Sequence, residues 1–176
     1  MTAHGWGKKP LTWILSLVFV GVVVDQITKA MALARLVPGE PVSVISDYFQ
    51  LDLLRNPGAA FSTGTGLTVV FSCLALVVLV GASVWVIPRV RCVPWAIAVG
   101  LGMAGVAGNF IDRMVRPPGP FRGYVVDFFS VKYFAVFNVA DILLTTAALL
   151  ILLFVLVFKL DITGQHLSAK TDSAGE

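Results

Sequence analysis

The chain has 176 residues, 57% of them hydrophobic and 13% charged, with a mean hydropathy of +0.89. That much apolar surface exceeds what one water-soluble core of this size buries, which excludes an ordinary soluble domain and predicts an integral membrane protein. The net charge of +3 suits anionic lipid head groups and offers no footing for nucleic acid.

Four apolar stretches, about 11–30, 67–87, 93–111 and 137–158, reach the length of about 20 residues that spans a bilayer. They predict an α-helical integral membrane protein of four transmembrane helices forming a single membrane domain. The first stretch follows Lys8 and Lys9 but runs too long for a secretory signal and lacks a small-x-small cleavage site, so it reads as a retained helix. The lysine pair and the Pro-Arg-Val-Arg-Cys-Val-Pro turn at 88–94 lie at span ends, which places both termini in the cytoplasm. The connection 31–66 carries two β-prone runs, 42–46 and 48–54, punctuated by Pro38, Gly39, Pro41, Pro57 and Gly58. The connection 114–136 opens with Pro-Pro-Gly-Pro at 117–120 and continues through a Val- and Phe-rich segment around Asp127. Loops this long are usually functional, and these two are expected to form a small extracytoplasmic β-sheet roofing the helices. The polar tail 163–176 is expected to be disordered. Cys73 and Cys92 lie about 28 Å apart along a helix, which excludes a disulfide. His4 and His166 sit in the polar tails, so no metal-ligand cluster and no cofactor is expected.

Asp141 opens the charge-free run 142–158. An ionisable group at membrane depth costs about 2.5–3.5 kcal/mol on insertion scales and reads as functional by default, with a partner. Asp127, in Val-Val-Asp-Phe-Phe, is the partner. With the fourth helix starting near Phe134, Asp141 lies about two turns in, on the order of 10 Å below its start, and the segment 130–135 doubles back to bring the carboxyls together. Two adjacent carboxylates share a proton, one then serving as general base on water and the other as general acid, which is metal-free aspartic-peptidase chemistry. In the third span Gly100, Ala104 and Gly108 recur at four-residue spacing and admit a close neighbour, holding Asn109, Asp112 and Arg113 at the membrane edge. Asn138, three residues before Asp141, shares its helix face or is a polar helix-start residue. Asn56, in Asn-Pro-Gly, reads as turn chemistry or as a substrate contact, and Gly58 supplies backbone freedom after Pro57. Asp112 and Arg113 read as an interfacial charge pair or as a grip on substrate main chain. Asp25 and Lys29, at i and i+4, form a structural salt bridge with no apolar context to isolate it from the interface. A small transporter with Asp25, Asp112, Asp127 and Asp141 as a proton relay is the alternative. Against it, the acids gather at one end of the helices.

Four blocks appear in order along the chain: Asp-Gln-Ile-Thr-Lys (25–29), Arg-Asn-Pro-Gly-Ala-Ala-Phe-Ser (55–62), Gly-Asn-Phe-Ile-Asp-Arg (108–113), and Val-Val-Asp-Phe-Phe (125–129) with Phe-Asn-Val-Ala-Asp (137–141). Together they resemble the signature blocks of the bacterial lipoprotein signal peptidases, or signal peptidases II, over roughly residues 11 to 159. The resemblance implies a membrane aspartic endopeptidase that removes the signal peptide of prolipoproteins, cutting just before a diacylglyceryl cysteine. It implies Asp127 and Asp141 as the catalytic dyad, with Asn56, Asn109, Asp112, Arg113 and Asn138 supporting the site and Asp25 in a structural or supporting role. It further implies a place in the bacterial cytoplasmic membrane with the site at the extracytoplasmic face, membrane lipid as a partner, and inhibition by the cyclic peptide globomycin.

Overall fold

A computed structural model describes residues 8–58 and 66–166. The polar tail expected to be disordered lies outside these residues from 167 onward, as does the end of the Asn-Pro-Gly block. The chain runs α1 (Lys8–Arg35), β1 (Val42–Ile45), β2 (Phe49–Asn56), α2 (Gly66–Gly81), α3 (Val93–Val115), β3 (Val125–Val131), β4 (Val136–Phe137) and α4 (Val139–Leu152). A π-helical turn (Ala82–Val86) and a 3-10 turn (Ile87–Arg89) prolong α2, and a second π-helical turn (Leu153–Val157) prolongs α4. With these extensions, four helices are long and apolar enough to cross a bilayer: Lys9–Arg35, Leu67–Arg89, Val93–Val115 and Val139–Val157. The expectation of four spans and a small sheet is met.

Helix α3 is the hub. Within its most apolar window 44% of residues are buried, against 11%, 6% and 17% for the other three helices. Its small residues explain this. A Cβ on Gly105 would stand 2.5 Å from the Ala140 carbonyl oxygen and 2.9 Å from the Leu144 nitrogen, and one on Gly100 would stand 3.0 Å from Leu17. The backbone of α3 thus rests directly on α4 and α1, as small-residue stripes allow. The other spans keep large apolar side chains such as Phe19, Val77 and Leu156 exposed, as a lipid-facing surface requires. Pro94 sits in the first turn of α3, where its missing N–H costs nothing. The helix stops at Arg116, whose extended backbone suits a residue preceding proline.

The sheet is antiparallel throughout, in the order β1-β2-β3-β4. Its inner face covers an apolar cluster of Ala32, Leu53, Val126 and Phe128. A second cluster, including Ile14, Trp95, Val99 and Phe154, fills the opposite end of the bundle. Between them lies a third kind of interior, in which Asp25, Lys29, Asp112, Asp127 and Asn138 are all buried.

Three expected boundaries shift. Helix α1 continues to Arg35 instead of 30, through helix-forming Met31, Ala32 and Leu33 and with Arg35 in its last turn where a cation suits the helix dipole. Helix α3 continues to Val115 instead of 111, so Asp112 and Arg113 are helical. Helix α4 begins at Val139, not near Phe134 or 137, because Val136 and Phe137 are taken up in pairing with β3. Asp141 is therefore in the first turn and not two turns down.

Candidate active site

Asp127 is placed by β3. Leu54 of β2 stands directly opposite it, and Asn56 two residues along on the same face. That pairing depends on a bulge: Leu51 faces Phe129, yet Leu54 faces Asp127, so Asp52 and Leu53 together oppose Phe128. Without the extra residue, Leu53 and Arg55 would lie on the face of Asp127, since a one-residue slip turns every side chain over. With it, Asn56 Nδ2 donates to Asp127 Oδ2 at 2.9 Å. The same side chain makes the turn, its Oδ1 accepting from Gly58 N at 2.8 Å, and Gly58 has φ +86°. The turn-chemistry expectation for Asn56 holds, and the same side chain is also bonded to Asp127.

Asp141 is placed by a helix cap. Asn138 is the N-cap of α4: its Oδ1 accepts from Asp141 N at 3.1 Å, and Asp141 Oδ2 accepts from Asn138 N at 3.1 Å, a reciprocal capping box. The same-face reading of Asn138 gives way to the helix-start reading, because its backbone is extended. It does more than cap. Asn138 Nδ2 donates to Asp127 Oδ1 at 2.6 Å, so one buried asparagine touches both carboxyls, Asp127 through its side-chain amide and Asp141 through its backbone N–H.

Asn109, on α3, closes the ring from below. Its Nδ2 donates to Asp141 Oδ1 at 2.8 Å, and its Oδ1 accepts from Asn138 Nδ2 at 3.1 Å and from Lys29 Nζ at 2.9 Å. Beyond it lies a buried ionic cluster in which Lys29 Nζ stands 2.9 Å from Asp25 Oδ2 and 2.9 Å from Asp112 Oδ2. Arg116 Nε reaches Asp112 Oδ1 at 2.6 Å. Two expectations are corrected here. The Asp25–Lys29 pair is not open to the interface but wholly buried, both side chains having no exposed surface, because Gly108 lets α3 close over it. Asp112 pairs with Lys29 and Arg116 instead of Arg113. Adjacent residues on a helix do not face each other, and Arg113 Nη1 instead donates to the Asn109 carbonyl at 3.1 Å. Buried Arg113 Nε has no partner among the described residues.

Spacing alone did not single out Lys29, Gln26 or Arg116 as site residues. Gln26 Nε2 donates to Asp25 Oδ2 at 3.1 Å and to the Gly108 carbonyl at 3.1 Å. The available signal was the acid–base spacing of Asp25 with Lys29 and of Asp112 with Arg116, both i and i+4.

Burial pushes the Asp127 carboxyl up to about 6; the amides of Asn56 and Asn138 oppose this, and the nearby Asp141 charge adds to it. Asp127 and Asp141 are linked through Asn138, which donates to a carboxyl oxygen of each. Asp141 is half-buried and opens onto a cavity of about 410 Å³ lined by Phe134, Phe137, Ile142, Thr145 and Thr146. A reacting group can therefore approach Asp141 alongside α4.

Residues 17–157 match the sequence profile of the family described as signal peptidase (SPase) II. A lipoprotein signal peptidase of Mycolicibacterium smegmatis is 43% identical over 160 residues, covering 90% of this chain and 68% of that protein. One from Mycobacterium tuberculosis (strain ATCC 25618 / H37Rv) is 43% identical over 157 residues, covering 89% and 77%. A solved structure described as "Bacterial membrane enzyme structure by the in meso method at 1.9 A resolution" superposes with a TM-score of 0.72 at 29% identity, covering 82% of this chain and 92% of that one.

Asn138→Ala is expected to cost about 1 kcal/mol through loss of the helix cap. It also removes a donor that favours the charged form of Asp127, so the Asp127 carboxyl should titrate above about 6. Asn138→Ser keeps a capping oxygen and should recover most of the stability without returning the titration. Thermal unfolding in detergent and infrared titration of the carboxyl band read the two effects separately. A serine variant with wild-type Asp127 titration contradicts the link.

Proposed function

The chain belongs to the signal peptidase II family of aspartic peptidases, and on that premise we propose that Asp127 and Asp141 are its catalytic pair. It is a multi-pass bacterial membrane protein and an endopeptidase that removes signal peptides from prolipoproteins. The alternative of a proton-relay transporter falls with the family assignment.

The observation that carries the catalytic assignment is Asn138, whose side chain donates to Asp127 Oδ1 while its backbone N–H donates to Asp141 Oδ2. Such a bridge holds the two carboxyls near one another without neutralising either, and adjacent carboxyls disfavour double ionisation, so in this reading the pair shares one proton. In the reaction the ionised carboxyl takes a proton from water as the oxygen attacks the scissile carbonyl. The protonated carboxyl gives its proton to the carbonyl oxygen. Collapse of the resulting diol returns a proton to the leaving nitrogen and restores the pair. Asn56, Asn109 and Asn138 keep both carboxyls aimed, and Asp25 and Asp112 anchor that frame. Arg113, whose buried Nε has no partner among the described residues, offers a donor to a substrate main-chain carbonyl.

The substrate carries its own depth gauge. The cavity beside Asp141 is lined by Phe134, Phe137 and Ile142 and opens along α4, where it suits a signal helix and acyl chains. Each buried methylene of an acyl chain adds about 0.8 kcal/mol, enough for a diacylglyceryl group to fix the scissile bond, just before the modified cysteine, at the level of the pair. Globomycin, a cyclic peptide, would block the reaction by occupying the same place. The termini lie in the cytoplasm and the sheet with the site at the extracytoplasmic face.

Asp127→Asn and Asp141→Asn should each lower turnover by on the order of 10⁴-fold or more, and the double variant should be no worse than either single one, since the pair acts as a unit. Purified protein in detergent with a lipidated precursor reads this; appreciable turnover by either single variant removes that residue from catalysis.

Unmodified precursor with a free cysteine thiol should be cleaved far more slowly than the diacylglyceryl form in nanodiscs. Equal rates for the two precursors would exclude recognition through the lipid.

A further inference from the structure

Lys29 is the largest fully buried side chain among the described residues, and its ammonium has three protons. All three are placed: on Asp25 Oδ2, on Asp112 Oδ2 and on Asn109 Oδ1, each at 2.9 Å. An ion pair between Asp25 and Lys29 for helix stability alone would need one of these bonds. The other ends of the three acceptors show a common destination. Asp25 Oδ1 accepts from Ala140 N at 2.9 Å, the backbone position next to Asp141. Asp112 Oδ2 accepts from Val126 N at 3.2 Å, the position next to Asp127. Asn109 Nδ2 donates to Asp141 Oδ1 itself.

We infer that Lys29 is a positioning residue for the catalytic pair, setting through Asn109, Asp25 and Asp112 where both carboxyls stand. The inference rests on the reading of Asp127 and Asp141 as that pair. The link through Asn109 is directional. A side-chain amide has an oxygen and a nitrogen of similar shape, and only its neighbours decide which way it points. Lysine has donors and no acceptor, so the Asn109 oxygen must face it and the Asn109 nitrogen must face Asp141. With lysine replaced by an apolar chain, the Asn109 oxygen keeps only the 3.1 Å bond from Asn138 Nδ2 among the described residues, and the amide's orientation is held less firmly. A turned amide would then present an oxygen to a carboxylate. Lys29 cannot itself be base or nucleophile while every proton it carries is bonded.

The charge acts as well as the hydrogen bonds. Lys29 favours the ionised form of Asp127. The groups around it are Asp25 on α1, Asp112, Arg113 and Arg116 on α3, Asp127 on β3 and Asp141 on α4. Removing the one positive charge lying between Asp25, Asp112 and Asn109 makes it harder for the pair to give up its first proton. The rising limb of the rate-against-pH profile should therefore move to higher pH.

Lys29→Met alone leaves two buried carboxylates facing each other and risks misfolding. The informative protein is Lys29→Met combined with Asp25→Asn, which keeps net charge and retains an oxygen for Ala140 N. It is compared with the wild type, Lys29→Met and Asp127→Asn, all full-length in detergent with the lipidated precursor. The double variant should fold, keep KM close to wild type, lose kcat on the order of 10²-fold through misplacement of reacting groups, and show the shifted rising limb. If Lys29 only balances charge, the double variant regains wild-type kcat and pH profile, and the inference is overturned. Asp127→Asn separates the two readings: an active Asp127→Asn protein overturns the dyad itself, whereas an inactive one beside a fully active double variant overturns only the role of Lys29.

Discussion

A charge buried away from water must be matched, and in this molecule one ammonium meets that demand for several elements at once. Breaking a buried ion pair by removing one partner typically costs about 3–5 kcal/mol, so the bonds from Lys29 to Asp25 and Asp112 are a condition of α1 and α3 packing where they do. Through Ala140 and Val126 the same carboxylates fix the start of α4 and the middle of β3. Apolar contacts alone would let these elements slide and rotate against one another, because hydrophobic burial is not directional. The hydrogen bonds of the cluster remove that freedom at the place where the two candidate catalytic residues leave the scaffold.

Local devices then aim each carboxyl. For Asp127 it is the bulge in β2, which exchanges Leu53 and Arg55 for Leu54 and Asn56 on its face. For Asp141 it is the capping box, which holds the carboxyl against the Asn138 backbone and leaves its other oxygen to Asn109. Both devices depend on asparagine, which offers a donor and an acceptor on one short side chain. That choice keeps the pair hydrogen-bonded and still able to carry negative charge. The result is a buried polar cluster that opens at Asp141 to a largely apolar cavity.

Much of this could be read from the sequence. Spans were legible because lipid imposes both a length and a composition, and the β-prone runs at 42–46 and 48–54 were legible through their branched residues and bounding prolines. The two aspartates stood out because apolar neighbours make a carboxylate costly. What stayed hidden was tertiary. Nothing in Phe-Gln-Leu-Asp-Leu-Leu announces an extra residue in β2, since a bulge is defined by its partner strand. The start of α4 is not fixed locally, because Val136 and Phe137 suit strand and helix alike until β3 is there to pair with them. The Asp25–Lys29 pair was seen as a spacing, but its burial comes from Gly108 and the approach of α3, which no local pattern reveals. Arg113 and Asp112 are neighbours in sequence, and helix geometry separates them.

The central claim is that Asp127 and Asp141 work as one unit holding a single proton. The most direct test is infrared difference spectroscopy of the resting protein at the pH of maximal rate, counting protonated buried carboxyls in the wild type, Asp127→Asn and Asp141→Asn. The account predicts one protonated carboxyl assigned to the pair, whose band is lost or displaced in either variant. A pair ionised at both residues in the wild type, or a band untouched by both substitutions, would contradict it.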